Sequence, residues 1–410
     1  MRKTNLTALT LILLALLFCL PTAAVTRRGD LDGDGSFSVT DVLTALRCCL
    51  GGNYNAQCDM NGDGKVTLVD VLSILRYAAA GSNFTQNALL CTPTKTTGIY
   101  NYCPSVLEEA DGTRYLYYCT NRESYKIIDY IGCRRGTPNA DGSYTYGAET
   151  IVLEPTAGKW DAHHTCDPSV VKGNFTYKGQ SYRYLMAYLG CTSYDNQDNE
   201  IGFAVANDPM GPFVKIADTP TIPYVREGDA WQWGVGQASL VSRDKGSRVY
   251  VFYTEGTATR THEFVDEWNF ADLENPVRLS HTDLATTGLT TRTGGGDYIG
   301  NADFAYDAGS NSFYMATDSH PYPSDEPNYI TEYFRVAYFA GDDVTKVRWN
   351  ELEHIGPAET GFARNHNVAL VRDAYGWLPS GHSLTVYYTG ADKGTNALWT
   401  YRLHAYTLLK

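Results

Sequence analysis

The chain has 410 residues, with 46 acidic against 33 basic side chains and a formal net charge of −13. That balance speaks against nucleic acid and anionic membrane as partners, since both need a basic face, and it suits a hard cation such as calcium. Aromatics make up 13% of the residues, with 31 Tyr, which fits strand-rich structure first and sugar-stacking surfaces second.

Arg2 and Lys3 precede an apolar run from Leu9 to Leu20, and Thr22-Ala23-Ala24 offers small residues for cleavage. About a dozen apolar residues is too few for a membrane span, which needs ~20. Residues 1–24 therefore read as a signal peptide, and the remainder as a secreted, extracellular protein with no membrane partner. Of the 10 cysteines, Cys19 leaves with that segment. Cys48, Cys49 and Cys58 fall in an N-terminal region, and Cys91, Cys103, Cys119, Cys133, Cys166 and Cys191 fall beyond it. Secretion permits disulfides, but the spacing shows no C-x-x-C and leaves the pairing open.

Two N-terminal segments match each other. Asp30-Leu31-Asp32-Gly33-Asp34-Gly35-Ser36, reaching Asp41, runs into Val42, Leu43 and Leu46. Asp59-Met60-Asn61-Gly62-Asp63-Gly64-Lys65, reaching Asp70, runs into Val71, Leu72 and Leu75. Oxygen side chains stand at loop positions 1, 3, 5 and 12, a Gly at 6 makes the bend, and position 7 (Ser36, Lys65) gives a backbone carbonyl. Two such loops, each followed by a helix, predict two Ca2+ sites, with ligands Asp30, Asp32, Asp34, Ser36 and Asp41, and Asp59, Asn61, Asp63, Lys65 and Asp70.

With Asp rather than Glu at position 12 and no helix ahead of either loop, the pattern resembles a type I dockerin over residues 26–83. The resemblance implies docking onto a cohesin of a scaffold protein, as in a cellulosome. The helix faces beginning at Val39-Thr40 and Leu68-Val69 would make that contact, with Arg47 and Arg76 nearby. Cys58 could staple the helix connection to either Cys48 or Cys49. A polar stretch, residues 84–97, reads as a linker.

From residue 98 to 410 short strand-like runs alternate with Gly, Asp and Asn turns. Five openings recur: Cys103-Pro104-Ser105-Val106, Asp167-Pro168-Ser169-Val170, Gln237-Ala238-Ser239-Leu240, Ala302-Asp303-Phe304-Ala305 and His366-Asn367-Val368-Ala369. Each is followed by an aromatic second strand, such as Tyr115-Leu116-Tyr117-Tyr118. A steady period near 65 residues predicts a mostly β chain with a five-bladed β-propeller, because a sandwich would not repeat so evenly.

Asp167-Pro168-Ser169-Val170, together with Ile201-Gly202-Phe203-Ala204-Val205-Ala206 leading into Asp208-Pro209-Met210-Gly211-Pro212-Phe213, resembles glycoside hydrolase family 43 and its relatives. That resemblance implies a glycosidase acting on a plant polysaccharide, arabinofuranosidase- or xylosidase-like, that inverts at the anomeric carbon. Two carboxylates would then stand roughly 6.5–9.5 Å apart around a water. By position the family's base belongs at the first opening, a tuning Asp at the second and an acid at the third. Here those positions hold Cys103, Asp167 and Gln237, so only the second is kept.

Asp167 is the leading catalytic candidate. Asp303, Glu255, and Glu227 with Asp229 beside it are substitute acids. His164, Trp231, Trp233, Gln237, Asn301 and His366 are candidates for holding sugar, Trp231 and Trp233 by stacking. His366 could donate a proton if carboxylates hold its pKa up. The alternative function is a glycan-binding propeller that has lost its catalytic pair, which Cys103 and Gln237 motivate.

Overall fold

The computed structural model describes residues 29–34, 37–60, 64–80, 87–93, 97–140, 142–380 and 383–409. The expected signal peptide and three expected calcium ligands, Ser36, Asn61 and Asp63, lie outside the described residues. The described residues fall into two compact units, the first within Met1–Met60 and Lys65–Ser82, the second within Asn61–Gly64 and Asn83–Lys410.

The first unit holds helices α1 (Val39–Gly51) and α2 (Leu68–Ala80). The Ser38 hydroxyl accepts from the Thr40 N–H while Asp41 accepts from the Ser38 N–H, a capping box that starts α1. Gly52 ends it in the left-handed region, φ 62°. Thr67 and Asp70 repeat the start at α2. Phe37, Ala45, Met60, Val71, Ile74 and Tyr77 are buried between the helices and loops, with Phe37 stacked on Tyr77 at 4.7 Å.

The apolar residues expected at helical spacing are split by this packing. Val71 is inside, whereas Leu43, Leu72 and Leu75 are exposed beside Val39, Leu68 and Val69. Two helices share only one inner face, and it is filled by Phe37, Ala45, Met60, Val71, Ile74 and Tyr77. The Cys58 thiol is pushed up to about 12 by burial and by the Cys48 thiol hydrogen-bonded to it. Cys48 rather than Cys49 therefore faces Cys58, and all three are thiols.

The second unit is a five-bladed β-propeller, preceded in the chain by β1 (Asn87–Leu89). Blade I holds β2 (Asn101–Glu108), β3 (Arg114–Thr120) and β4 (Tyr130–Pro138), with β5 (Tyr144–Tyr146) and β6 (Thr150–Leu153) both on β4. Blade II holds β7 (His164–Tyr177), β8 (Gln180–Cys191), β9 (Glu200–Ala206) and β10 (Val214–Lys215). Blade III holds β11 (Gly234–Ser242), β12 (Arg248–Gly256), β13 (Thr261–Asn269) and β14 (Val277–Asp283). Blade IV holds β15 (Asp303–Asp307), β16 (Ser312–Ser319), β17 (Tyr333–Ala340) and β18 (Asn350–Ile355). Blade V holds β19 (Arg364–Leu370), β20 (Ser383–Ala391) and β21 (Arg402–Leu409).

β1 completes blade V outside β21, with Asn87 opposite Tyr406. The stretch expected as a linker thus contains the closing strand. Its three residues carry too little alternation to be read as one.

The core lies between neighbouring sheets rather than in one mass. Leu185 and Phe203 meet Leu240 and Val251 between blades II and III, and Phe252 meets Phe304, Met315 and Phe339 between blades III and IV. Strands buried on both faces read as continuous apolar runs, as Val249–Phe252 does.

Arg372 follows β19 and is fully buried on the axis. Its guanidinium donates to the Ser169 and Ser239 hydroxyls, at 3.0 and 3.1 Å, and to the Leu240 and Phe304 carbonyls, at 3.1 and 2.8 Å. Asp303 faces it at 3.1 Å. One side chain from blade V therefore ties blades II, III and IV. Replacing Arg372 with Met leaves the Asp303 charge buried without its cation, and the expected destabilisation is about 3–5 kcal/mol by denaturant titration. A change under about 1 kcal/mol would show that the axis is held by packing alone.

Candidate functional site

Each inner strand opens on a non-glycine residue in the left-handed region: Cys103 (φ 50°), Asp167 (48°), Gln237 (52°), Asn301 (55°) and Asn367 (44°). In four blades the pairing slips at that point, between Tyr102 and Ser105, Cys166 and Ser169, Gly236 and Ser239, and His366 and Ala369. The slip is a bulge, and it turns one side chain per blade toward the axis. Such a conformation costs about 1–2 kcal/mol for a residue with a Cβ. Five of them in equivalent places mark a built feature. They line a single narrow pocket.

The fourth and fifth axial residues are therefore Asn301 and Asn367, not Asp303 and His366 as the openings suggested. Asp303 also lines this pocket, but its carboxylate is committed. It accepts from the Ser239 hydroxyl at 2.6 Å and the Leu370 N–H at 2.8 Å, and it pairs with Arg372. His366 is buried, and burial pushes its pKa down to about 3 despite the Asn367 carbonyl oxygen beside Nδ1. It is a neutral imidazole, so the expected proton donor lacks its proton.

Asp167 is 5% exposed, and its pKa is raised to about 7. Burial is the main cause, and Asp129 adds to it. The Cys103 thiol, the Gln237 N–H and His164 oppose the shift. Its own N–H donates to Cys119 Sγ at 3.0 Å, and Cys119 is joined to Cys166 by a disulfide. His164 sits behind this point, buried, with Nδ1 2.6 Å from Asp129. Burial lowers its pKa, but the hydrogen bond and charge of Asp129 outweigh that and leave it raised. Tyr100 donates to the same Asp129 at 2.7 Å.

The acid that the sequence did not mark is Asp318, near the end of β16. It is fully buried, and burial raises its pKa to about 7. The Asn301 side-chain amide donates to Oδ2 at 2.6 Å and the Asn367 N–H donates to Oδ1 at 3.2 Å. Two axial residues thus hold it. The register places it level with Thr254 of blade III, since Asp303 pairs Ala316 as Ser239 pairs Phe252. The thiol of Cys103 is raised by burial first, then by Asp167, Asp318 and Asp303, so all three carboxyls act on one point.

The other expected acids do not reach this floor. Glu255 is half-buried on β12, one residue beyond the inward-facing position, and pairs across to His262. Glu227 and Asp229 are exposed on the loop before β11, where Gln232 holds the Glu227 N–H. Trp231 is exposed, whereas Trp233 packs on the Cys119, Cys166 and Leu189 cluster beside Cys103. Gln237 lines the floor with its Oε1 buried and lacking a hydrogen-bond partner.

In the first unit carboxylate oxygens of Asp30, Asp32 and Asp41 lie within 4.8 Å of one another. Asp41 is held by the Leu31 and Ser38 N–H groups at 2.6 and 2.8 Å, and Asp70 by those of Met60 and Thr67 at 2.9 and 2.7 Å. Asp30, Asp41, Asp59 and Asp70 are all buried. Converging buried carboxylates repel one another unless a cation joins them, so these residues fit a hard divalent ion.

Residues 28–78 match the family model of the dockerin type I domain. No curated protein matches the chain. Among solved structures the chain is similar to Zg3597, a family 117 glycoside hydrolase from the marine bacterium Zobellia galactanivorans. The TM-score is 0.50 at 13% identity, over 80% of this chain and 90% of that one. It is also similar to the catalytic domain of a Coprinopsis cinerea GH62 alpha-L-arabinofuranosidase, TM-score 0.51 at 13% identity, over 79% and 95%. At such identity the likeness is one of fold. None of the described helices is long and apolar enough to cross a membrane.

Proposed function

We propose that this chain, a type I dockerin domain followed by a five-bladed propeller of glycoside-hydrolase fold, is a secreted glycosidase that works while docked to a scaffold cohesin. The observation that carries the reading is the pair Asp167 and Asp318. They are two buried carboxyls, from blades II and IV, each raised to about 7. Glycoside hydrolysis needs one carboxylate to activate water and one carboxylic acid to protonate the leaving oxygen. Groups near 7 can hold either state at neutral pH. Asn301 and Asn367 position Asp318, and the Gln237 N–H and the Cys103 thiol position Asp167. Inversion at the anomeric carbon is the expected course.

The substrate class is a plant polysaccharide such as arabinoxylan. Among the described residues, the strongly exposed aromatics of the propeller are Tyr125, Tyr194, Trp231, Tyr322 and Tyr329. All stand on loops at the end of the sheets where the axial residues open, as platforms for pyranose faces would. Export follows from the leader at residues 1–24, and two calcium ions from the two loops. The exposed apolar face of Val39, Leu43, Leu68, Val69, Leu72 and Leu75 is the surface a cohesin would cover.

Hydrolysis of arabinoxylan and of aryl α-L-arabinofuranosides and β-D-xylosides tests the reading, with Asp167→Asn as control. A drop of about 10²–10⁴ in kcat/KM for the variant is expected. Cys103 and Gln237, where family 43 carries acids, favour a second reading: a propeller that holds glycan without cleaving it. Retention of the wild type on insoluble polysaccharide with no soluble sugar released would establish that reading and reject the first.

A further inference from the structure

We propose that the floor of the funnel is a redox-gated metal site. When the Cys119–Cys166 disulfide is reduced, the sulfurs of Cys103, Cys119 and Cys166 and the carboxylate of Asp167 hold one soft divalent cation, zinc foremost. The inference does not rest on the chain being a hydrolase.

The donors already converge. Cys103 Sγ, Cys119 Sγ and an Asp167 oxygen lie within 4.8 Å of one another, and Cys166 Sγ lies 3.2 Å from Asp167 Oδ1. Around a tetrahedral zinc, with Zn–S about 2.3 Å and Zn–O about 2.0 Å, donors stand roughly 3.3–3.8 Å apart. Side-chain rotation suffices to open the Cys119–Cys166 pair to that spacing, since their Cα atoms are 5.2 Å apart. Three sulfurs and one carboxylate make a closed four-coordinate set.

Three further observations favour a cation over a plain structural bridge. A bridge needs two cysteines, yet a third, Cys103, stands at the pocket as a thiol in a left-handed conformation, φ 50°, that Gly or Asn would adopt more cheaply. Carboxyl groups share its pocket, Asp167 and Asp303 both lining it beside Cys103, and such a setting attracts a dication. The sulfurs also have hydrogen-bond donors in place: the Asp167 N–H at 3.0 Å from Cys119 Sγ, and the Tyr102 hydroxyl at 3.0 Å from Cys166 Sγ. Outer donors of this kind steady metal-bound thiolates.

The gating step balances with a small thiol as reductant. Two thiol molecules supply two electrons and two protons and leave as their disulfide. Cys119 and Cys166 become thiols, and metal entry releases the cysteine protons to water.

The test is a cobalt titration of the full chain, saturated with calcium and reduced under anaerobic conditions with a phosphine. The expected result is one equivalent of tetrahedral cobalt with a thiolate-to-metal charge-transfer band, displaced by zinc. That equivalent should be missing from the unreduced protein and from Cys103→Ser. Cys48, Cys49 and Cys58 remain in both proteins, so the difference reports the propeller. Identical cobalt uptake and spectra in wild type and Cys103→Ser overturn the proposal, as does the absence of thiolate-bound cobalt in the reduced wild type. Asp167→Asn is the second probe. It should weaken the site by at least about tenfold, and an unchanged affinity also overturns it.

Discussion

Asp318→Asn should abolish most hydrolysis and yet stabilise the protein above neutral pH. The expected loss in kcat/KM is about 10²–10⁴, and the wild-type profile should be a narrow bell centred near pH 7, because Asp167 and Asp318 are both raised to about 7. The stability effect follows from linkage. Burial raises the folded-state pKa of Asp318 from an ordinary 3.8, so the folded chain holds this proton more tightly than the unfolded one. Below about pH 4 both states are protonated and the group has no effect on stability. Between pH 4 and 7 the unfolded chain ionises first and stability falls.

An amide does not ionise. The variant's gain should therefore be absent at pH 4, grow toward pH 7 and level off at on the order of 4 kcal/mol. The Asn301 side chain can flip to present its oxygen to the new amide, so the pocket need not open. Thermal melts of both proteins from pH 4 to 8 would show this divergence. A variant that is active, or one destabilised equally at every pH, removes Asp318 from the proposed pair.

Calcium removal should be equally severe at the other end of the chain. With a chelator present, cohesin affinity of the full chain should fall by about a thousandfold or more, and residues 29–80 should become open to protease. The carboxylates of Asp30, Asp41, Asp59 and Asp70 are buried, and oxygens of Asp30, Asp32 and Asp41 converge in the first loop. Without a cation their repulsion works against the turns that start α1 and α2. Added calcium should restore binding, whereas magnesium at the same concentration should not, since it prefers a smaller, six-coordinate, water-rich shell. Isothermal titration with and without chelator measures this, and undiminished binding would contradict it.

The repeat was legible from its apolar second strands, and the calcium loops from oxygen spacing, because both patterns are local. The phase of the fourth and fifth blades was not. Asn301 precedes the residues read as the fourth opening, Ala302-Asp303, and Asn367 follows His366, read as the fifth. The bulge that selects the axial residue is a pairing event between strands, and one residue of slip changes which side chain faces the axis. Asp318 escaped notice for a related reason. Thr317-Asp318-Ser319 reads as an ordinary strand end, and only its register against β15 turns it inward. Comparing the five second-strand ends would have aligned Asp318 with Thr254 and set it apart from Glu255. Arg372 and Asp303 show the same limit, since their pairing spans 69 residues of sequence.

The strand β1 has a consequence in time. It pairs with residues more than 300 positions later, Asn87 with Tyr406, so it emerges from the ribosome long before its partner exists. Blades I to IV can each form from contiguous chain, while blade V waits for the last residues to be made. Closing so long a loop carries a large entropic term, and contacts of high sequence separation form late. Until then β1 has no neighbour to pair with, and an unpaired edge invites association with other chains. A propeller expressed from residue 98 onward would keep the β21 edge open for its whole life. Starting it ahead of Asn87 should yield the better-behaved protein.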